Sequence, residues 1–311
     1  MKRFLIVSVV AAVAGLWIPQ ASGSDRSGIV SGQFLKIPVS ARMVAMGGAG
    51  VALVDGAACL AYNPSGMVYG TEYQFAAHYT QWFTDIRHSF FAFAANLEGI
   101  GAVGIGATIL SSGDMMVTTP AYPEGTGEYF RASDYALTLA LARKISDKFS
   151  VGISMKYIKS YLFNTEYGAS CFAFDAGTLY EIPALRTRLG MAVANLGSDM
   201  KFINESYSLP TSFRFGVVTN IMEGEEQNLN AAFQISRPND GNEQYNVGAE
   251  YTFFGNFTLR AGHKFGYDAE NWTAGFGVNF ALIGVAGMLD YGYNNFKWLP
   301  GTHAISLYVG L

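Results

Sequence analysis

Four histidines are the side chains of this chain best suited to catalysis or metal binding. They stand in separate segments, at His78, His88, His263 and His303. None belongs to an HxxE or HExxH spacing, which would place metal ligands on one helical face, and no Gly-x-Ser-x-Gly nucleophile elbow occurs. We therefore predict a protein that is not an enzyme and that holds no cofactor and no metal. A Ser–His pair assembled from distant segments would escape this search.

A run of small residues over 42–50 invites comparison with a phosphate-binding glycine loop. No predicted strand precedes the run, no Lys-Ser/Thr follows it, and its spacing matches neither a P-loop nor a dinucleotide fingerprint. Glycines also let two backbones approach closely, and an Asn-Pro pair starts a turn. We assign such structural roles to Gly47, Gly48, Gly50, Asn63, Pro64 and Gly66.

The composition is that of a membrane protein without membrane helices. Of 311 residues, 14% are charged and 50% are hydrophobic, with 36 glycines, whereas soluble domains carry about 25% charged residues. After the N-terminus, no stretch of about 18 apolar residues could span a bilayer as a helix. The net charge of −4 is small, so we expect no nucleic-acid partner.

The N-terminus has the pattern of a secretory signal peptide. A basic start at Lys2 and Arg3 precedes an apolar stretch over 4–18, and small residues follow at 21–23. This order of basic, apolar and small residues is typical of cleaved export signals. We predict a signal peptide over 1–23 and export of the mature chain.

From Gly70 onward, apolar residues alternate with small or polar ones, which is the period of a strand with one apolar face. The alternation is clearest over 149–157 and 272–280. Fourteen such segments follow one another, and the connections are alternately longer and shorter, as in outer-membrane barrels. We predict an all-β transmembrane barrel over 70–311, with both mature termini at the short-turn, periplasmic side. Only the turn around 222–226 is longer than this layout prefers.

Charged residues of both signs recur on the small and polar face of the predicted strands. An outward Lys or Arg at mid-bilayer would cost about 2–4 kcal/mol, whereas an inward one stays hydrated or paired. Such a lumen could bind a plug or steer a solute, and the plainer interpretation is a hydrated wall. The predicted lumen charges are Asp134, Lys156, Arg188, Arg214, Glu250, Arg260, Lys264 and Asp290.

Residues 24–69 do not alternate, yet they are too apolar to stay in water. The available space is the barrel interior, so we predict an N-terminal hatch or plug in the lumen. Arg42 would anchor it to a carboxylate of the wall. The candidate partners are Asp134, Glu250 and Asp290. A disulfide between Cys59 and Cys171 is a further hypothesis, because the periplasm is oxidising.

Apolar side chains are frequent in the longer, extracellular connections. Exposed apolar groups need something apolar to contact. They could line a groove for a hydrophobic small molecule, dock a protein, or pack on one another as a lid. These loop residues include Trp82, Met115, Met116, Tyr122, Phe202 and Trp298.

Residues 33–67 carry the resemblance of this chain to a known family. The small-residue stretch 42–50, the alanine-rich segment after Asp55 and the Asn-Pro-Ser-Gly element 63–66 resemble the PorV/PorQ family of outer-membrane barrels, which typically has Asn-Pro-Ala-Gly there. That family belongs to the FadL-like fourteen-stranded class. The resemblance implies an accessory of type IX secretion that binds or shuttles cargo proteins. Its FadL-like architecture implies, alternatively, passive uptake of hydrophobic compounds or fatty acids. Outer-membrane lipid is an expected partner in both cases.

Overall fold

The computed structural model describes residues 28–163, 167–224, 226–282 and 285–311. The predicted signal peptide, 1–23, lies outside these residues. Within the described ranges, no helix is long and apolar enough to cross a membrane.

Fourteen antiparallel strands form a closed barrel, in which each strand pairs with its neighbours in the chain and the first strand pairs with the last. The all-β, fourteen-stranded prediction is therefore confirmed. The strands are β1 Tyr73–Gln81, β2 Arg87–Leu97, β3 Gly101–Ser111, β4 Ser133–Ser146, β5 Phe149–Tyr161, β6 Gly168–Ile182, β7 Thr187–Gly197, β8 Ser212–Glu223, β9 Gln227–Pro238, β10 Gln244–Phe253, β11 Phe257–Phe265, β12 Glu270–Leu282, β13 Val285–Phe296 and β14 Thr302–Gly310.

Strand β6 shows that the outer surface of the barrel is apolar and needs lipid around it. Its inward residues Cys171 and Ala173 are buried, whereas Phe172 and Phe174 point outward with 51% and 54% of their surface exposed. In this stretch the small side chains of Cys171 and Ala173 face inward and the two phenyl rings face outward, the reverse of the order in a soluble barrel. A belt of exposed Phe and Leu is stable in lipid and unfavourable in water.

The two ends of the barrel differ in the length of their connections. Two long loops, 112–132 and 198–211, lie at one end, which we call the long-loop end. The other end, the short-turn end, carries turns such as 98–100. The predicted long turn around 222–226 is wrong, because β8 continues to Glu223 and leaves only 224–226 as the connection.

Residues 28–70, which we call the N-terminal segment, form one short α-helix and three 3₁₀ turns. Helix α1 covers Ala41–Ala45, and its N-cap is Ser40, whose Oγ accepts a hydrogen bond from the Met43 amide at 3.3 Å. The 3₁₀ turns are Gln33–Lys36, Gly56–Ala61 and Pro64–Tyr69. Because helices this short are not stable on their own in water, packing inside the barrel must stabilise them.

The N-terminal segment lies against the inner wall, where glycines leave room for its backbone. A Cβ at Gly262 would lie 2.2 Å from the Gly47 nitrogen, and one at Gly152 would lie 2.4 Å from the Ser65 nitrogen. The apolar core of the molecule is therefore inside the barrel. Its largest fully buried side chains are Phe90, Met43, Met46, Leu60, Met67, Ile158, Leu179, Met200 and Leu209.

The N-terminal segment begins at the end of the barrel opposite to the C-terminus, and the predicted mature N-terminus, near Ser24, lies outside the described residues. The barrel starts and ends at the short-turn end, where Leu311 lies. Residues 28–36 lie at the long-loop end instead, where Val30 forms a β-bridge with Ser208 and Lys36 contacts Asp240. The alternation of connections describes only the strands, so it could not show that the preceding residues traverse the lumen.

We expect Gly262→Ala to destabilise the protein by about 1–3 kcal/mol, the usual cost of overpacking a close contact. The added methyl group would displace the Gly47 backbone. Urea unfolding in detergent micelles measures the loss. Gly241→Ala is the matched control, because its Cβ would meet only Pro238 at 3.6 Å. Equal midpoints for the two variants would show that the segment does not need this contact.

Candidate functional site

The N-terminal segment is anchored to the wall by a chain of ion pairs. Arg42 binds Glu250 through two hydrogen bonds, from Nε at 3.0 Å and from Nη2 at 2.5 Å. Arg260 binds the same carboxylate at 3.1 Å and reaches Asp290 at 2.7 Å. Two cations thus neutralise two anions, and a network of this kind is favourable in a buried place only when every charge has partners.

Strand register explains how this network forms. Glu250 and Arg260 stand directly opposite each other on β10 and β11. Asp290 is two strands away on β13, and Arg260 reaches it across β12 because Gly277 has no side chain. A Cβ at Gly277 would lie 2.6 Å from Nη1 of Arg260. Sequence reasoning missed Gly277, whose only signal is a glycine at an inward position among charges.

Of the three carboxylates considered for Arg42, the structure pairs it with Glu250. Asp290 joins the network only through Arg260. Asp134 lies elsewhere on the wall, where its carboxylate accepts a hydrogen bond from Ser160.

A second set of charges holds the N-terminal segment near the short-turn end. Arg188 pairs with Asp55 at 2.6 Å and with Glu181 at 3.1 Å. The Tyr69 ring lies between two cations, with the Arg188 guanidinium at 4.6 Å and the Lys144 ammonium at 4.8 Å from its centroid. Asp55 and Tyr69 were not among the predicted charge partners, because neither stands on a strand.

The remaining predicted lumen charges also face inward. Lys156 pairs with Asp175 at 2.7 Å, beside a β-bulge in which the Asn195 amide donates to Asp175 at 2.8 Å. Lys264 pairs with Glu270 at 2.8 Å. These two pairs belong to the wall, so they fit the plainer interpretation of ordinary wall residues.

The predicted packing residues lie where the N-terminal segment turns or touches the wall. Gly47 and Gly48 have positive φ and follow helix α1. A Cβ at Gly50 would meet Met43 at 2.9 Å, and one at Gly66 would meet Cys59 at 2.5 Å. Asn63 caps the turn that begins at Pro64. Its side-chain nitrogen donates hydrogen bonds to the backbone oxygens of Val51 and Thr178, at 2.9 and 3.0 Å.

A cavity of about 850 Å³ opens between the N-terminal segment and the wall at the long-loop end. One side of it is mainly apolar, with Phe90, Leu110 and Ala136 beside the hydroxyls of Thr108 and Thr138. The opposite side is polar and includes Arg214 and Gln234. Residues 33–39 of the N-terminal segment also line it. The size is that of a ligand-binding pocket, which typically measures about 300–1,000 Å³.

The stretch that lines the cavity is itself held by one loop carboxylate. Asp240 accepts hydrogen bonds from Lys36 at 2.8 and 2.9 Å and from Gln33 at 3.1 Å. Burial alone would raise the pKa of the Asp240 carboxyl, but these hydrogen bonds and the Lys36 charge hold it below its usual value. The loop 239–243 therefore attaches residues 33–36 most strongly when Asp240 is ionised.

The apolar loop residues divide into packed and exposed groups. Trp82 packs edge-on against Phe296, with 5.7 Å between ring centroids, and Phe202 lies 6.4 Å from Tyr207. Met115 and Met116 pair with Tyr129–Phe130 in a small loop hairpin. Other side chains are open to solvent, including Tyr129 of this hairpin: Tyr122, Tyr129, Trp298 and Leu299 have 63%, 60%, 78% and 47% of their surface exposed. A lid accounts for the packed residues, and the exposed ones are free to contact a partner.

Both cysteines are free thiols and lie in different clusters of the core, so the structure gives no support to a disulfide between Cys59 and Cys171. Among the described residues, no three His, Cys, Asp or Glu side chains are grouped as a metal site.

The closed barrel of fourteen antiparallel strands has the fold of FadL-like outer-membrane proteins. Solved structures of this fold match at low identity. The Pseudomonas putida toluene transporter TodX gives a TM-score of 0.59 at 12% identity, with 87% of this chain and 96% of that chain covered. The Ralstonia pickettii toluene transporter TbuX gives 0.56 at 14%, with 87% and 96% covered. A Pseudomonas aeruginosa FadL homologue gives 0.55 at 11%, with 88% and 98% covered.

The chain belongs to the PorV family, because the family model described as type IX secretion system protein PorV matches residues 21–238. Comparison with curated proteins gives no match. Fold and family together make this a protein of the bacterial outer membrane, as predicted. The likeness to the toluene transporters and the FadL homologue shows only that they share this fold.

We expect Arg42→Gln to lower the free energy of unfolding by about 3 kcal/mol, because it leaves the buried Glu250 with one cation in place of two. Urea unfolding measures this loss. Arg131→Gln is the control, since Arg131 and Asp114 form an exposed pair, which contributes about 0–1 kcal/mol.

A double-mutant cycle identifies the partner of Arg42. Arg42→Gln combined with Glu250→Gln should cost less than the sum of the single variants, since the pair is then absent on both sides. Strict additivity would contradict the anchor.

The attachment of residues 33–36 should weaken in acid. A pKa held below its usual value means that the stabilisation is complete above the ordinary carboxyl pKa of about 3.9 and is lost as pH falls through the lower folded-state value. Hydrogen exchange at the Leu35 and Ile37 amides, corrected for intrinsic rates, should accelerate below about pH 3.9. Asp240→Asn should remove this dependence, and an identical pH profile in both proteins would refute the role of Asp240.

Proposed function

We propose that this barrel is a non-enzymatic accessory of protein secretion, which binds secreted proteins at its long-loop end and passes them to surface-attachment machinery. The observation that carries this proposal is the match of the PorV family model to residues 21–238. This match covers the whole N-terminal segment and the barrel as far as the end of β9, so it includes the part of the chain that fills the lumen.

The geometry favours binding at an end of the barrel over passage through it. The N-terminal segment occupies the lumen, and ion pairs hold it at Glu250 and Arg188. Several of its side chains, including Met43 and Met46, are fully buried. A folded polypeptide could cross only if this whole core were displaced, which would cost many buried contacts.

The long-loop end offers suitable anchors for a protein partner. Tyr122, Tyr129 and Trp298 expose most of their surface there. Exposed Tyr and Trp residues are enriched in the energetic centres of interfaces, because they bury large areas at a low cost in side-chain entropy.

Surface display of secreted proteins in the native host tests the proposal. Deletion of the gene should leave type IX cargo in the periplasm, and the wild-type gene should restore its display. Tyr122→Ala combined with Trp298→Ala should lower display at least about tenfold, the effect expected when interface anchors are lost. Leu185→Ala, an exposed residue of a short turn, should leave display unchanged. Normal display in the deletion strain would refute the proposal.

A second candidate function is passive uptake of hydrophobic compounds, with the N-terminal segment acting as a movable hatch. The cavity of about 850 Å³ with its apolar side supports it. Uptake of a radiolabelled fatty acid by the deletion strain separates the two functions. Lost uptake with normal cargo display would favour transport.

A further inference from the structure

Arg214 differs from every other cation that lines the cavity. Three lysines are paired with carboxylates, as Lys36 with Asp240, Lys156 with Asp175 and Lys264 with Glu270. Arg214 donates only from Nε to the Ser212 hydroxyl at 3.2 Å. Within the part of the chain that the structure describes, no acidic group pairs with its guanidinium.

The half-buried guanidinium of Arg214 lacks, among the described residues, the anionic partner that would stabilise it. Partial burial costs hydration of the charge, and an acidic partner would recover that cost. The planar fork of arginine also matches a carboxylate through two parallel hydrogen bonds, which a lysine cannot provide. The cavity therefore contains one place that is ready for a carboxylate.

The two sides of the cavity indicate what carries that carboxylate. Gln234, Ser236 and Gln244 line the side on which Arg214 stands, and Phe90 and Leu110, with the hydroxyls of Thr108 and Thr138 beside them, line the other. A peptide uses both sides, because its amides bond polar groups while its side chains bury apolar surface. A saturated acyl chain would cover the polar side without bonding it.

The other charges of the cavity lining are three paired lysines with their carboxylates and one further anion, Asp268, which is exposed at the rim. The lining is therefore close to neutral as a whole, and Arg214 is the cation that lacks an adjacent counter-ion within the described ranges. This favours one placed carboxylate over a general attraction for anions.

We propose that the cavity holds an extended segment of a secreted polypeptide and that Arg214 binds the terminal carboxylate of that segment. This inference rests on the proposed secretion function and adds a specificity-determining residue and a ligand chemistry to it. The segment reaches the cavity from the long-loop end, where the exposed aromatic residues hold the rest of the partner.

Calorimetry on the full-length protein in detergent micelles tests the inference with a matched pair of probes. The probes are acetyl-Val-Tyr-Val-Leu-Val as the free acid and as the C-terminal amide. The acid should bind at least about tenfold more tightly than the amide, which is the scale of one charge-assisted contact. Arg214→Gln should remove that difference, and Arg214→Lys should restore part of it. Arg186→Gln, at the short-turn end, should behave as wild type.

Each other result overturns the inference. Absence of binding up to about 1 mM, where a contact of useful affinity would be detected, refutes the peptide site, and so does equal binding of acid and amide. Binding of laurate without binding of the peptide acid assigns the cavity to a lipid. Failure of this test while the Tyr122 and Trp298 variant still loses cargo display would remove the inference and leave the proposed function standing.

Discussion

The rest of this structure depends on the width of its own lumen. A barrel of about eight strands is filled by its own side chains, whereas a wider one encloses space that must be filled or left to water. Here the N-terminal segment fills much of it. The wall accommodates that segment by placing glycines such as Gly152 and Gly262 where the inserted backbone touches it. The glycine content, the small inward side chains and the apolar N-terminal residues therefore all serve to fill the lumen.

The placement of charged side chains also depends on the lumen. The outer face excludes charge because it contacts lipid, so ion pairs concentrate inside. Arg42 and Arg260 share Glu250, and this network joins residues more than 200 positions apart in the chain. The N-terminal segment is consequently held at fixed points and by packing in between. The cavity at the long-loop end is the space that this arrangement leaves, and its polar side comes from the same wall that supplies the anchors.

The alternation of apolar and polar residues predicted the strands, because successive residues of each strand face lipid and lumen in turn. It also indicated which charges face inward, since Lys156 and Glu250 stand in register with small neighbours. The alternation could not predict which of these charges pair with one another. Arg42 had three possible partners, and the course of the N-terminal segment through the lumen brings it to Glu250. The space that Gly277 leaves and the position of Tyr69 between two cations depend on contacts across strands. No local pattern encodes such contacts, so they could not be predicted.

The position of helix α1 has a consequence for how the protein is made. It precedes every strand in the chain, yet it packs on β12, β13 and β14, the last strands to be synthesised. Its docking surface therefore does not exist until the whole polypeptide has been exported, and β1 must still meet β14 to seal the wall around it. Docking of helix α1 must accordingly be among the last steps of assembly, after β12, β13 and β14 are in place.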